Sequence, residues 1–161
     1  MSREEKKPLC QDTGQVLVFV KIGEKCTTQN LKESINNGVK RAYEQNFYRK
    51  SVVKNALFDR KNTQTNTPCV IYTEIVSGGN IEIEILLKGA GAENKSQVAM
   101  LSPTAGEDEI IDFVQKVAKE AGANACPPFF IGVGIGGTMD YAALLSKKAL
   151  LMDKDIDNQH Q

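Results

Sequence analysis

Val16-Leu-Val-Phe-Val-Lys-Ile22 is an apolar run interrupted by one lysine, entered from Pro8-Leu-Cys-Gln-Asp-Thr-Gly14 and left at Gly23. Such a run predicts a buried strand. The preceding stretch is dense in polar, turn-forming residues, and Asp12 and Thr13 ahead of Gly14 predict a turn. Beyond Gly23, Thr27 and Thr28 offer an N-cap. Leu31, Ile35, Val39, Ala42, Tyr43 and Phe47 then recur at helical spacing. Tyr48-Arg-Lys-Ser51 closes that helix, and Asn62-Thr-Gln-Thr-Asn-Thr-Pro68 lacks periodicity and reads as a polar loop. Such loops are often exposed and sometimes line a site.

Two strand-like runs follow, Cys69-Val-Ile-Tyr-Thr-Glu-Ile-Val76 and Ile81-Glu-Ile-Glu-Ile-Leu-Leu-Lys88, joined by Ser77-Gly-Gly-Asn80. Strict Ile/Glu alternation predicts one buried and one wet face, and the Gly-Gly turn predicts an antiparallel hairpin. Lys88-Gly-Ala-Gly-Ala-Glu-Asn-Lys95 does not match the phosphate loop GxxxxGK[ST], but its backbone N–H groups suit a carboxylate or phosphate. Ile110, Phe113, Val114, Val117, Ala118 and Ala121 line one face of a helix that starts acidic and ends at Gly122.

Asn124-Ala-Cys-Pro-Pro128 then puts a cysteine on a stiff, non-helical approach to residues 129–135, which read as a short strand buried on both faces. Gly136 and Gly137 predict a sharp turn, Thr138 an N-cap, and residues 140–151 a last helix. A thiol and an anion-suited helix start thus flank one strand; a buried thiol beside a turn that binds nothing fits the same residues. The predicted order is β-α-β-β-α-β-α. It describes a mixed α/β (α+β) fold, a mixed sheet with helices packed on it, similar to a split βαβ core carrying an extra helix. Residues 1–161 are expected to form a single domain, with a polar tail over 153–161.

Twenty basic and twenty acidic residues cancel, so no global field favours nucleic acid or an anionic membrane. No apolar run approaches a membrane span, and the charged start has no signal-peptide core, which predicts a cytoplasmic protein. The only histidine, His160, sits in the polar tail, so Ser–His or Cys–His nucleophilic chemistry is not expected. Cys10, Cys26, Cys69 and Cys126 are widely spread, with no CxxC pair and no Cys/His cluster that marks zinc.

Taken together, Pro8-Leu-Cys-Gln-Asp-Thr-Gly14, Lys88-Gly-Ala-Gly-Ala-Glu-Asn-Lys95, and Asn124-Ala-Cys-Pro-Pro128 with Gly132-Val-Gly-Ile-Gly-Gly-Thr138 resemble the catalytic α region of class I fumarate hydratases and the similar L-tartrate dehydratase α subunit. The resemblance covers about residues 7–152. It implies an iron–sulfur-dependent hydro-lyase component that hydrates fumarate to L-malate, or alternatively dehydrates L-tartrate. The cofactor implied is a [4Fe–4S] cluster on three cysteines whose open iron binds substrate. Cys10 and Cys126 would be two of those ligands. Gln11 and Asp12 would contact substrate, with Asp12 the catalytic candidate for proton traffic at the hydroxyl. Arg49 would pair with a substrate carboxylate, and the backbone at Gly91 would approach substrate. Ala90 and Ala92 stand where the family usually has Gly and Ser. The family's third cysteine lies beyond the ACPP motif and has no match here, while Cys26 and Cys69 are expected to be packed thiols. The partners implied are a four-carbon dicarboxylate, a β subunit or C-terminal β domain, and further copies in an oligomer. The chain is therefore expected to be a truncated part of a larger α subunit, inactive by itself. An iron–sulfur electron-transfer domain, which the absence of tight CxxCxxC spacing disfavours, and a non-catalytic assembly module are the alternatives from other classes.

Overall fold

The computed structural model describes residues 2–8, 10 and 14–152. After a single turn of helix, α1 (Ser2–Glu5), the chain enters β1 (Gln15–Gly23). β1 is the middle strand of a three-stranded sheet ordered β2-β1-β3, where β2 is Val70–Val76 and β3 is Ile81–Lys88. It runs parallel to β2 in the register Leu17↔Val70 to Gly23↔Val76. It runs antiparallel to β3 from Gln15↔Lys88 to Ile22↔Ile81. The central position explains the unalternated sequence: Val16, Leu17, Val18, Phe19 and Val20 are all buried. On one face Val16, Val18 and Val20 meet Val39 and Tyr43 of α2 (Leu31–Gln45). On the other, Phe19 stacks on Tyr72 with ring centroids 5.2 Å apart. Burying five such side chains contributes on the order of 10 kcal/mol before conformational entropy is subtracted.

Two sequence expectations for this sheet are corrected. β2 and β3 do not form a hairpin; each pairs with β1, which also makes β1-α2-β2 a direct parallel βαβ unit rather than a split one. The Ser77-Gly-Gly-Asn80 connection instead crosses the end of β1, where Gly23 N donates to Asn80 O at 2.9 Å and Lys25 N donates to Gly78 O at 3.1 Å. An isolated two-stranded hairpin is at best marginal in water, whereas this order gives the most apolar strand a neighbour on both edges. β3 does alternate, but its Ile81, Ile83, Ile85 and Leu87 face is exposed, with Ile85 58% accessible. That face lies beside Ile22, Val20, Val18 and Val16, yet the residues packed on the core cluster from the sheet edges are Cys69 and Ile71, at and beside β2. A helix about 10 Å across covers roughly two strands spaced about 4.8 Å apart, and α2 covers β1 and β2.

α2 begins two residues later than Thr28 as a cap would place it. Asn30, in the left-handed region at φ 59°, is its N-cap, and Leu31 N donates to Thr28 O. Its end is closed by Asn46, whose backbone N and Nδ2 both donate to Ala42 O.

The chain divides into two compact units, one ending at Ala90 and the other beginning at Gly91. A single turn of helix, α3 (Ala90–Glu93), spans that boundary; beyond it, in the second unit, α4 (Glu107–Ala121) carries Glu107, Asp108 and Glu109 in its first turn, as the helix dipole favours, and Gly122 caps its end. A 3-10 turn over Gly122–Ala125 leads through residues 126–138 to α5 (Met139–Ala149), N-capped by Thr138. No strand forms over residues 129–135, contrary to the periodicity reading. Among the described residues this unit contains no strand at all, so a lone extended segment has no ladder to join. One face of it does pack. A Cβ on Gly132 would lie 2.0 Å from Ser146 O, and one on Gly134 would lie 2.1 Å from Ala142 O. These glycines let the backbone rest directly on α5, while Ile131, Val133 and Ile135 remain exposed. Among the described residues, no helix is long and apolar enough to cross a membrane.

Candidate functional site

In the first unit the site is built around a segment left by α2. Tyr48 packs its ring on buried Tyr43, centroids 5.1 Å apart, which holds the chain as it exits the helix. The next residue, Arg49, is exposed, and its Nε donates to the carbonyl of Cys10 at 2.9 Å. Thirty-nine positions of sequence separation are closed by that one contact. The planar guanidinium is thereby oriented by its own edge against the Cys10 segment, a geometry that an ammonium cannot reproduce. Cys10 is itself exposed and free. Gln11 and Asp12 lie outside the described residues.

The polar loop over residues 62–68 holds this arrangement from beneath. Asn66 Oδ1 accepts from the amides of Ser51 at 2.8 Å and Val52 at 3.0 Å, and its Nδ2 donates to Gly14 O at 2.9 Å. Asn62 Nδ2 donates to Lys50 O at 2.7 Å, and Thr63 N donates to Val52 O. Asn66 is fully buried and left-handed at φ 56°, a conformation asparagine tolerates better than most residues. Periodicity reads these residues only as a loop. An asparagine two positions before a proline marks a turn, but nothing in that local pattern marks its burial.

In the second unit Cys126 is exposed and sits at φ 56°, ψ 67°, its N–H donating to Ala123 O at 3.2 Å. A non-glycine residue held left-handed costs about 1–2 kcal/mol, and such strain concentrates at functional positions. Gly91 falls within α3 (Ala90–Glu93), one turn of helix where an open glycine loop was expected. Ala90 and Ala92 supply the reason, since alanine favours helix most and glycine least among non-prolines. Glu93 of this turn pairs with Lys147 of α5, whose side chain is largely buried.

The four thiols divide in two. Cys10 and Cys126 are exposed; Cys26 and Cys69 are half-buried. Desolvation pushes the Cys69 thiol above its ordinary value, with a smaller opposing effect from a backbone hydrogen bond. At pH 8, iodoacetamide is therefore expected to label Cys10 and Cys126 at least about tenfold faster than Cys69, with the difference vanishing in denaturant. Mass mapping of the adducts checks this, and equal rates in the native chain would contradict the packing. Thiolates suit iron and iron–sulfur groups, so the two exposed cysteines fit that chemistry. Among the described residues, however, no three His, Cys, Asp or Glu side chains form a group that would hold a metal ion.

The family model described as fumarate hydratase (Fumerase) matches residues 1–161. A Methanocaldococcus jannaschii protein provisionally named L(+)-tartrate dehydratase subunit alpha is 40% identical over an alignment covering 98% of this chain and 60% of that protein. L(+)-tartrate dehydratase subunit alpha of Escherichia coli strain UTI89 is 34% identical over 96% of this chain and 51% of its own length. The protein of that name from strain K12 matches with the same identity and coverage. The chain thus spans about half to three-fifths of the length of these relatives.

Proposed function

Because this chain belongs to the fumarate hydratase (Fumerase) family, we propose that it is the part of an α-type hydro-lyase subunit that binds a four-carbon dicarboxylate and supplies two cluster thiolates. The observation that carries the reading is the Arg49 Nε bond to the Cys10 carbonyl, which sets a carboxylate-reading guanidinium against a cysteine with an exposed thiol. Arg49 binds and orients one substrate carboxylate through its planar fork. Asp12 carries the proton at the substrate hydroxyl, Gln11 contacts the same end, and the backbone at Gly91 approaches the substrate. Cys10 and Cys126 would hold a [4Fe–4S] cluster, with a third thiolate from outside these residues. When bound, that cluster supplies a Lewis acid at the hydroxyl. A β-type partner supplies the group that removes the carbon-bound proton. Fumarate and L-malate are the substrates expected from the motifs. L(+)-tartrate is the second reading, favoured by the names of the relatives.

The test joins an α-type subunit containing this chain to its β partner, reconstitutes the complex anaerobically with iron and sulfide, and follows malate from fumarate and oxaloacetate from L-tartrate. Turnover of either substrate supports the hydro-lyase reading, and the ratio of kcat/KM values names the substrate. A complex that takes up iron and sulfide but turns over neither would sink it. Arg49→Lys is expected to lower kcat/KM by about a hundredfold, mainly through KM, because an ammonium lacks the planar fork that can clamp a carboxylate with two parallel bonds while its Nε edge holds the Cys10 carbonyl.

A further inference from the structure

We propose that Asn66 is a positioning residue for this site, setting where Arg49 meets the Cys10 segment; the inference rests on the hydro-lyase reading for its kinetic consequence but not for its geometry. Three bonds from one fully buried side chain reach two separate stretches of main chain. One stretch is Ser51 and Val52, directly after Arg49 and Lys50; the other is Gly14, four residues after Cys10. Arg49 Nε to Cys10 O closes the circuit on the opposite side. Each end of the Arg49–Cys10 contact is thus within four residues of a backbone group that Asn66 holds.

The chemistry needs an asparagine. Its carbonyl oxygen accepts two amide N–H groups while its amide donates to a carbonyl, so both functions are used. Aspartate keeps the acceptors but would set a carboxylate oxygen against the Gly14 carbonyl. Glutamine is one methylene longer, and a buried cavity already at zero exposure has no room for it without displacement. The left-handed backbone at this position further narrows the choice. Anchored from beneath in this way, the guanidinium holds its place before substrate arrives, which lowers the cost of ordering it on binding.

Asn66→Asp and Asn66→Ala are the informative variants, in the α-type subunit with its β partner for kinetics and in the labelled 161-residue chain for nuclear magnetic resonance. Asn66→Asp preserves the Ser51 and Val52 acceptor and the tolerance of left-handed backbone, so it is the variant expected to fold. We expect KM for the dicarboxylate to rise about tenfold with kcat within about threefold, since the damage falls on ground-state orientation of the carboxylate. The Arg49 Nε–H resonance is expected to lose its protection from solvent exchange. Asn66→Ala should do the same more strongly and also lower the melting temperature. A folded Asn66→Asp protein with wild-type KM and an unchanged Arg49 Nε–H exchange rate would overturn the assignment. If the wild-type complex turns over neither dicarboxylate, the hydro-lyase reading fails. The exchange measurement then still decides whether Asn66 sets the Arg49 contact.

Discussion

Gly14→Ala is expected to unfold much of the first unit's margin of stability. Gly14 sits at φ +65°, and a Cβ built on it would lie 1.8 Å from Lys88 O, 2.5 Å from Lys88 C and 2.6 Å from Gly89 Cα. The obstacle is backbone at the end of β3, not a side chain that can swing away. Relief requires either Gly14 to retreat, which breaks the Asn66 Nδ2 bond to its carbonyl, or β3 to slide from the Gln15↔Lys88 pair. Overpacking costs about 1–3 kcal/mol and a left-handed non-glycine residue about 1–2 more, against a total stability of order 5–15 kcal/mol. For a chain of this size that corresponds to a fall in melting temperature of roughly 10 °C, read by circular dichroism. A shift below about 2 °C would mean that β3 does not approach Gly14 this closely. Because Gly14 ends the motif that carries Cys10, the same variant should disturb the site even where the protein remains folded.

Cys10→Ser and Cys126→Ser, each made in an α-type subunit of the relatives' length, are expected to abolish stable iron and sulfide uptake. A serine hydroxyl is nearly isosteric but far harder and less acidic than a thiol, and iron–sulfur groups are held by thiolates. Cys26→Ser and Cys69→Ser should retain full loading, since both thiols are half-buried and desolvation raises the Cys69 thiol above its ordinary value. Iron-to-protein ratio after anaerobic reconstitution, with the visible absorbance of the product, separates the two pairs. Wild-type loading in Cys126→Ser would remove that residue from the ligand set. Loss of loading in Cys69→Ser would put the missing third thiolate inside this chain. Cys126 has an additional expected signature, since its left-handed backbone is strained whichever group occupies the side chain. Replacing it with glycine should relieve that strain and raise thermal stability while loading is lost, the opposite signs that mark a functional position.

The elements that periodicity and caps describe were legible. β1 falls where an apolar run with one lysine predicts it, α2 carries the predicted apolar residues except Phe47, which lies beyond its end at Gln45, α4 carries its own at the predicted spacing, and α5 starts from Thr138. Arg49 and Cys10 were legible only through their resemblance to a known motif set, and their contact across thirty-nine residues was not readable at all. Asn66 escaped notice because polarity and a nearby proline describe an exposed loop as well as a buried clamp, and no local signal tells them apart. Residues 129–135 misled in the opposite direction. The apolar run there predicts a strand buried on both faces, but a strand needs a neighbour, and Gly132 and Gly134 instead rest on α5 while Ile131, Val133 and Ile135 stay exposed.

Side-chain pattern follows from the chain's own covalent period, so the existence of β1, α2, α4 and α5 was a matter of sequence, whereas the exposure of Cys10 and Cys126 was decided by the tertiary structure. Pairing order, exposure of the apolar β3 face and the convergence of Cys10 and Gly14 with residues 49–52 and 62–66 were also decided by tertiary structure. The physical reason is that each depends on which distant backbone satisfies a hydrogen bond or covers a surface. A helix wide enough for two strands leaves the third uncovered, and one asparagine with two acceptor bonds and one donor bond draws together segments that no period connects.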